Sequence, residues 1–357
     1  MTVQEIDEVK AEEFAGQMVG LLNNALLSLM VSVGHRTGLF DTMAIEAALT
    51  SDELAAKAGL NERYVREWLN ALTVGGIVIY DPAQRRYHLP AEHAASLTRS
   101  AGPANLATLA QFTSLMGHVE DGIVEAFRNG GGVPYSAFPK FQELMAEESA
   151  RVNDAVLIDG TLQLVDGITE QLRSGIDVAD VGCGQGHAVN LMAKEFPNSR
   201  FTGWDFSEEG IAAARAEASE LGLNNTTFEV QDASMISASN AFDFITVFDA
   251  IHDQAKPDVV LQNISNALRD DGVFLCVDIA GSSHVENNLE HPMAPLLYSI
   301  STFHCMTVSL ALDGEGLGTM WGQELANEML NAAGFASVET KTIPEDILNV
   351  YYIARKH

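Results

Sequence analysis

From Ile176 onward, short runs rich in β-branched and aromatic residues alternate with longer segments of helical periodicity. The runs are DVADV (177–181), SRFTGWD (199–205), TTFEVQD (226–232), FDFITVF (242–248) and GVFLCVDI (272–279). Segments such as HAVNLMAKEF and EEGIAAARAEASELG lie between them. Strands joined through helices cannot close as hairpins, so this order specifies a parallel sheet with helices on both faces. The expected fold class is therefore α/β, with a Rossmann-like, mostly parallel sheet. Two further extended segments, SVETKTI (337–343) and LNVYYIAR (348–355), are expected to pair as an edge hairpin, the last strand antiparallel.

The first hundred residues follow a different rule. In LTSDELAAKAGL, Thr50 and Glu53 form a capping-box pattern and Gly59 supplies a stop. Asn61 then opens NERYVREWLNALTVGG, which ends at Gly75 and Gly76. The run IVIYDPAQRRYHL reads as strand, Asp81-Pro82 turn, strand. Helix, turn, helix and a two-stranded wing make a winged-helix pattern, so nucleic-acid binding is one reading. Charge speaks against it. The second helix carries Arg63 and Arg66 but also Glu62 and Glu67, and only Arg85 and Arg86 mark the wing. The whole chain of 357 residues has 49 Asp plus Glu against 20 Lys plus Arg, a formal net charge of −29. Such a surface repels phosphate backbones and anionic membranes. No nucleic-acid partner is expected, and a packing or dimerisation module is.

The apolar stretch Met18–Gly34 holds Asn23, Asn24 and two serines and is short for a bilayer span, so it is expected as a buried helix at a subunit interface. No membrane association is expected. The opening segment MTVQEIDEVKAEEF is acidic and lacks the basic-then-apolar pattern of a signal peptide. Three scattered cysteines, Cys183, Cys276 and Cys305, make neither a disulfide framework nor a zinc pattern, which fits a cytoplasmic setting. The domains expected are 1–100 (winged helix), 101–173 (a helical linker and pocket cap) and 174–357 (the α/β sheet). Within the cap, GGGVPYSAFPKF (130–141) is a loop whose aromatic residues, Tyr135 and Phe138 among them, either cover a ligand pocket or pack between domains.

Residues 178–187, VADVGCGQGH, form the turn after the first sheet strand. Ligands of such sheets bind over this turn, and Gly182 and Gly184 let the backbone come close to one. The dinucleotide fingerprint needs a glycine where this chain has His187, and no lysine follows as in a phosphate loop. Asp180 beside a helix N-terminus repels phosphate and suits a cation. Asp205, closing the second strand, is placed to accept hydrogen bonds from ribose hydroxyls. Asp232, closing the third, could take one from an adenine amino group. Each acid alone could be an ordinary N-cap; three at successive strand ends argue for a shared ligand.

VADVGCGQG followed by GWD, QDA and FDAIHD resembles the class I S-adenosylmethionine-dependent methyltransferases over residues 175–357. With the winged helix, almost the whole chain resembles bacterial winged-helix methyltransferases and, more remotely, plant-type and acetylserotonin-type O-methyltransferases. The resemblance implies S-adenosyl-L-methionine as cofactor, a small-molecule methyl acceptor and a homodimer built by the winged helix. It places Asp180, Gly182 and Gly184, with Cys183 in the same turn, around the methionine part and ribose. Asp205 would hold the ribose hydroxyls, Phe206 would lie against the adenine, Asp232 and Ala233 would meet the adenine edge, and Phe248 would line the site.

The pair His252-Asp253 matches the catalytic base position of the plant-type enzymes. A hydroxyl is a poor nucleophile until its proton leaves, and an imidazole can take that proton. Those enzymes carry an orienting acid before the last helix, where this chain has Met320 and Trp321. The long insert 280–318 is expected to form the substrate wall, with His304 and Met306 lining it; His284, His291 and His304 are too scattered for a metal site. A ligand-sensing DNA-binding regulator is the alternative; a nicotinamide oxidoreductase is opposed by His187.

Overall fold

The computed structural model describes residues 6–344 and 346–357; positions 1–5 of the acidic opening segment lie outside the described residues. The chain divides into two compact units, Met1–Ser114 and Leu115–His357. The stretch expected as a separate linker over 101–173 is thus divided between them. Residues 115–173 belong to the larger unit, and their last part is held there by packing: Leu157, Leu162, Ile168 and Leu172 are buried in one cluster with Val178 and Phe244 of the sheet.

In the smaller unit the helix signals act as the sequence implies. Thr50 accepts from the Glu53 backbone N–H while the Glu53 carboxylate accepts from Thr50, completing the capping box of helix Ser51–Ala58. That helix ends at Gly59 in the left-handed conformation, φ 66°. Asn61 caps helix Glu62–Val74, whose Val65, Trp68, Leu69 and Leu72 face the core. The wing is β1 (Ile79–Asp81) paired antiparallel with β2 (Arg86–His88). Arg86 of the wing grips the Glu53 carboxylate at 2.8 and 2.9 Å, and Arg63 and Arg66 of the preceding helix pair with Glu67 and Glu62.

The N-terminal apolar stretch lies within one long helix. That helix runs from Glu8 to Arg36, opened by Asp7, and buries only Ser32, Gly34 and His35. Phe14, Leu22 and Leu26 are 61%, 63% and 67% exposed, so this part of the helix is not buried by its own chain, whereas Leu27, Met30 and Val31 pack on the core of the smaller unit. At 29 residues it is also long and apolar enough, by length and composition, to cross a membrane.

The larger unit is built on seven strands: β3 (Asp177–Val181), β4 (Arg200–Asp205), β5 (Thr226–Val230), β6 (Phe242–Phe248), β7 (Leu268–Ile279), β8 (Ser337–Ile343) and β9 (Asp346–Arg355). Their order is β5-β4-β3-β6-β7-β9-β8. Pairs β3–β4, β3–β6, β4–β5 and β6–β7 are parallel, and β9 is antiparallel to both neighbours. The expected hairpin forms, but its second strand inserts beside β7 and leaves β8 at the edge. The period-2 alternation of a strand explains this. Tyr351 and Ile353 enter the core on one face with Leu275 and Val277, while Val350, Tyr352 and Ala354 join Phe274 and Cys276 on the other. A strand apolar on both faces must lie inside; β8, with Glu339 and Thr340 exposed, need not.

The reversal of strand order beside β3 puts the carboxyl ends of β3, β4 and β6 around one crevice, the position at which doubly wound sheets bind ligands.

Candidate active site

The turn after β3 folds back because the N–H groups of Gly182 and Cys183 both donate to the Trp204 carbonyl of β4, at 2.8 and 3.0 Å. Gly184 and Gly186 adopt left-handed φ values of 54° and 74°. They do different work. A Cβ on Gly184 would meet nothing within 4 Å, so its bare backbone faces open space. A Cβ on Gly186 would come within 2.5 Å of the Ala214 Cβ, so that glycine lets helix His187–Glu195 sit close to helix Glu208–Glu220.

This turn is one wall of a cavity of about 490 Å³. Asp180, Gly182, Cys183, Gly184, Asp205, Phe206, Asp232, Ala233 and Phe248 all line it, together with Tyr135 and Asp253. Five aspartates line the cavity, Asp249 being the fifth, against one lysine, Lys256.

Each acid has its own constraint. Asp180 is buried and accepts from the Thr246 hydroxyl at 2.6 Å. Burial pushes its carboxyl up to about 7, the Thr246 bond opposing and Asp205 adding to the shift. Asp205 accepts from the Gly184 N–H at 2.9 Å and the Ser207 N–H at 2.8 Å. It is not the N-cap of the following helix: Ser207 is, accepting from Gly210. Burial raises the Asp205 carboxyl, and the two backbone N–H groups counter it. Asp232 does cap the short turn Ala233–Met235, through the Ser234 N–H. Asp249, a further acid that directly follows β6, belongs to the same series. It holds a left-handed φ of 52°, its Oδ1 has no hydrogen-bond partner, and burial pushes its carboxyl well above the usual range. Backbone strain of this kind concentrates at functional sites.

His252 lies behind the wall rather than in it. Its Nδ1 hydrogen-bonds Asp278 Oδ1 at 2.6 Å, and its Nε2 lies 3.4 Å from Asp253 Oδ1. Trp321 Nε1 donates to the same Asp278 oxygen at 3.1 Å, and the Tyr135 phenol donates to Asp253 Oδ2 at 2.9 Å. Burial alone would lower the imidazole, but Asp278 and Asp253 hold it well above its ordinary value. The acid that holds the imidazole therefore comes from the end of β7 and not from the stretch before the last helix. Trp321, which stands where the sequence offered no acid, buttresses that carboxylate. The signal was present in the sequence: VDI ends a strand in the same way as VADV and GWD.

The aromatic expectations divide. Tyr135 reaches the cavity. Phe138, His304 and Met306 are not among the residues lining it. His304 stacks on Phe141 with centroids 3.9 Å apart, and Phe138 meets it edge-on at 4.7 Å. Burial holds His304 down to about 4, so it packs as a neutral ring. Met306 is half-buried at the start of helix Met306–Leu310. Phe138 and His304 thus pack behind Phe141, which lines the cavity beside Tyr135.

Helix Phe141–Val156 adds residues that no motif announced: Met145, Ser149 and Asn153 line the cavity. His187 does more than break a glycine pattern. Its Nε2 contacts Asp154 of that helix at 2.9 Å and its Nδ1 contacts Glu217 at 2.6 Å, fastening the helix to the glycine turn.

A methyltransferase-domain family model matches residues 172–334, and an Rv2258c-like winged HTH domain model matches residues 25–99. The chain carries a methyltransferase domain behind a winged helix. Among curated relatives it is 30% identical over 133 residues to N-methyltransferase 4 of Papaver somniferum, covering 37% of this chain and 36% of that protein. It is also 30% identical over 104 residues to a fatty-acid O-methyltransferase of Mycolicibacterium smegmatis, covering 29% and 37%. The chain thus spans about a third of the length of these relatives. The fold likeness reaches further. Human N-acetylserotonin methyltransferase, solved in complex with SAM, superposes with a TM-score of 0.69 at 15% identity, over 100% of this chain and 99% of that one. The mitomycin 7-O-methyltransferase gives 0.68 at 18% identity, over 97% and 99%. At such identities the likeness establishes the class I methyltransferase fold.

Proposed function

We propose that the chain is an S-adenosylmethionine-dependent methyltransferase whose acceptor is a small-molecule hydroxyl. The observation that carries this reading is the charge of the cavity. Five aspartates and one lysine line it beside the glycine turn. A phosphate-bearing cofactor needs donors and cations there; a sulfonium nucleoside is itself cationic and carries ribose hydroxyls that carboxylates can accept from.

When bound, S-adenosylmethionine supplies a methyl group on a cationic sulfur. The chain's residues do the rest. Gly184 leaves the backbone open, Asp205 is held rigid by two N–H groups with lone pairs to spare for ribose, and Phe206, 51% exposed at the rim, offers a face for the adenine. Asp180 sits next to the turn, where a cationic ligand favours its ionised form.

Asp253 and His252 form the proton-accepting unit. With the imidazole already protonated between two carboxyl groups, the group that meets the acceptor is Asp253 in the cavity wall, His252 standing behind it and Asp278 fixing the ring. Asp253 already accepts a hydrogen bond from a phenol, that of Tyr135, which is the hydrogen-bonding chemistry of a hydroxyl acceptor. This favours oxygen over a sulfur or a neutral amine, neither of which needs a base.

The N-terminal helix supports a homodimer: Phe14, Leu22 and Leu26 form apolar surface that a second copy would cover. The in-chain pairing of Arg63, Arg66 and Arg86 favours packing over nucleic-acid binding for the winged helix. Free thiols at Cys183, Cys276 and Cys305 agree with a cytoplasmic setting.

Calorimetry with S-adenosylmethionine tests the assignment. Native protein binds one equivalent per chain, and Asp205→Ala loses that binding while its circular dichroism is unchanged. Unaltered affinity in the variant removes Asp205 from the site.

A further inference from the structure

The cluster behind the cavity wall contains a third group that proton transfer does not use. Cys305, buried at the end of the turn Ser301–Cys305, brings its Sγ within 4.8 Å of both His252 and Asp253. His252 and Asp253 leave the loop after β6, whereas Cys305 comes from the insert beyond β7. No sequence spacing announces the trio, and the three scattered histidines of the insert are not what forms it.

The other polar atoms of these side chains are already committed. His252 Nδ1 is bound to Asp278, whose oxygen also takes the Trp321 N–H. Asp253 Oδ2 is bound to the Tyr135 phenol. What remains is His252 Nε2, Asp253 Oδ1 and Cys305 Sγ, which face one another, the thiol lying in hydrogen-bonding contact with the other two residues. Apart from that thiol, Asp253 Oδ1 is buried with no hydrogen-bond partner, which is costly for a carboxylate oxygen. The Nε2–Oδ1 separation is 3.4 Å. A tetrahedral ion with bonds of about 2.0–2.1 Å to nitrogen and oxygen sets those two ligands about 3.3–3.4 Å apart. An imidazole whose far nitrogen is held by a carboxylate is also the arrangement that orients metal-ligating histidines.

We propose that His252 Nε2, Asp253 Oδ1 and Cys305 Sγ form a binding site for a soft divalent cation of the Zn²⁺ class. A thiolate with an imidazole selects Zn²⁺ or Co²⁺ over Mg²⁺ or Ca²⁺, and three protein ligands leave one coordination position open. Binding expels the thiol proton and any proton on Nε2 to solvent and forms the three coordinate bonds. The site stands on its own geometry. Its consequence rests on the methyltransferase reading: an ion on Nε2 and Oδ1 occupies the atoms through which the acceptor's proton would pass, so metal and base roles exclude each other.

Co²⁺ titration of metal-free, tag-free protein tests this. The expected result is a thiolate-to-cobalt charge-transfer band in the near ultraviolet that saturates at one Co²⁺ per chain. One equivalent of Zn²⁺ should bleach it, and excess Mg²⁺ should leave it unchanged. Cys305→Ser should lose the band while Cys183→Ser and Cys276→Ser keep it. Absence of a saturable band, or its persistence in Cys305→Ser, overturns the site. Calorimetry with S-adenosylhomocysteine on the same samples shows that Cys305→Ser is folded. It also separates the two ideas: nucleoside binding without a cobalt band refutes the metal site alone, and a cobalt band without nucleoside binding refutes the cofactor reading alone.

Discussion

Asp180 should make cofactor binding depend on pH in a range where most carboxylates are silent. Burial and the neighbouring Asp205 push its carboxyl up to about 7, so the free protein holds a proton there in mildly acidic solution. A cationic ligand favours the ionised form. The sign follows: binding is strongest above pH 7 and weakens below it, because the ligand must then expel a proton. From about pH 8 to about pH 6 the dissociation constant rises roughly tenfold, or ~1.4 kcal/mol. Asp180→Asn keeps an oxygen for the Thr246 hydroxyl but removes the charge, so its affinity is weaker and flat across the same range. Stability moves the other way. An acid whose folded pKa lies near 7 rather than 3.8 binds its proton more tightly when folded, so the free protein loses stability as pH rises from about 4 to 7. That cost amounts to at most about 4 kcal/mol at pH 7 and above, and Asn abolishes it. The variant should therefore melt higher than native protein at about pH 8 while binding cofactor less well. Calorimetry in buffers of different ionisation enthalpy counts the protons released, and thermal melts read the stability. A native affinity independent of pH over this range, or an Asn variant that keeps the native slope, refutes the reasoning.

Three further outcomes are expected. Asp278→Asn breaks the tie to His252 Nδ1 and should cut turnover about 10²–10⁴-fold while leaving S-adenosylmethionine affinity unchanged; a KM effect without a kcat effect would count against an orienting role. Gly186→Ala combines a left-handed φ with a Cβ 2.5 Å from Ala214, and should lower stability in urea by about 2–4 kcal/mol. Leu22→Glu with Leu26→Glu charges the exposed face of the N-terminal helix; light scattering should show a native dimer become monomeric, and a dimer that survives both changes places the interface elsewhere.

Asp180, Asp205 and Asp232 are legible in the sequence because a parallel sheet delivers the ends of neighbouring strands to one crevice, whatever the loops do. Asp249 and Asp278, at the ends of the next two strands, follow the same rule. The aromatic and histidine residues of the loop 130–141 and the insert 280–318 were harder. A histidine in an irregular segment has no period to say which way it faces. His304 became a neutral ring stacked on Phe141, whereas His252 became a buried group between two acids. Similarly, β8 and β9 were legible as strands, but only apolar residues on both faces of β9 decided which one the sheet would enclose.

Local pattern is enough for the α/β architecture, the helix caps of the winged unit, the glycine turn and the acids beside it, all set within one strand–loop–helix unit by period and backbone conformation. Tertiary structure decided what local pattern cannot encode. It brought Cys305 to His252 and Asp253, gave Asp278 and Trp321 to the imidazole, and fastened helix Phe141–Val156 through His187. Each of these is a contact between distant segments, and its energy depends on burial and partner, two quantities that exist only once the chain has closed on itself.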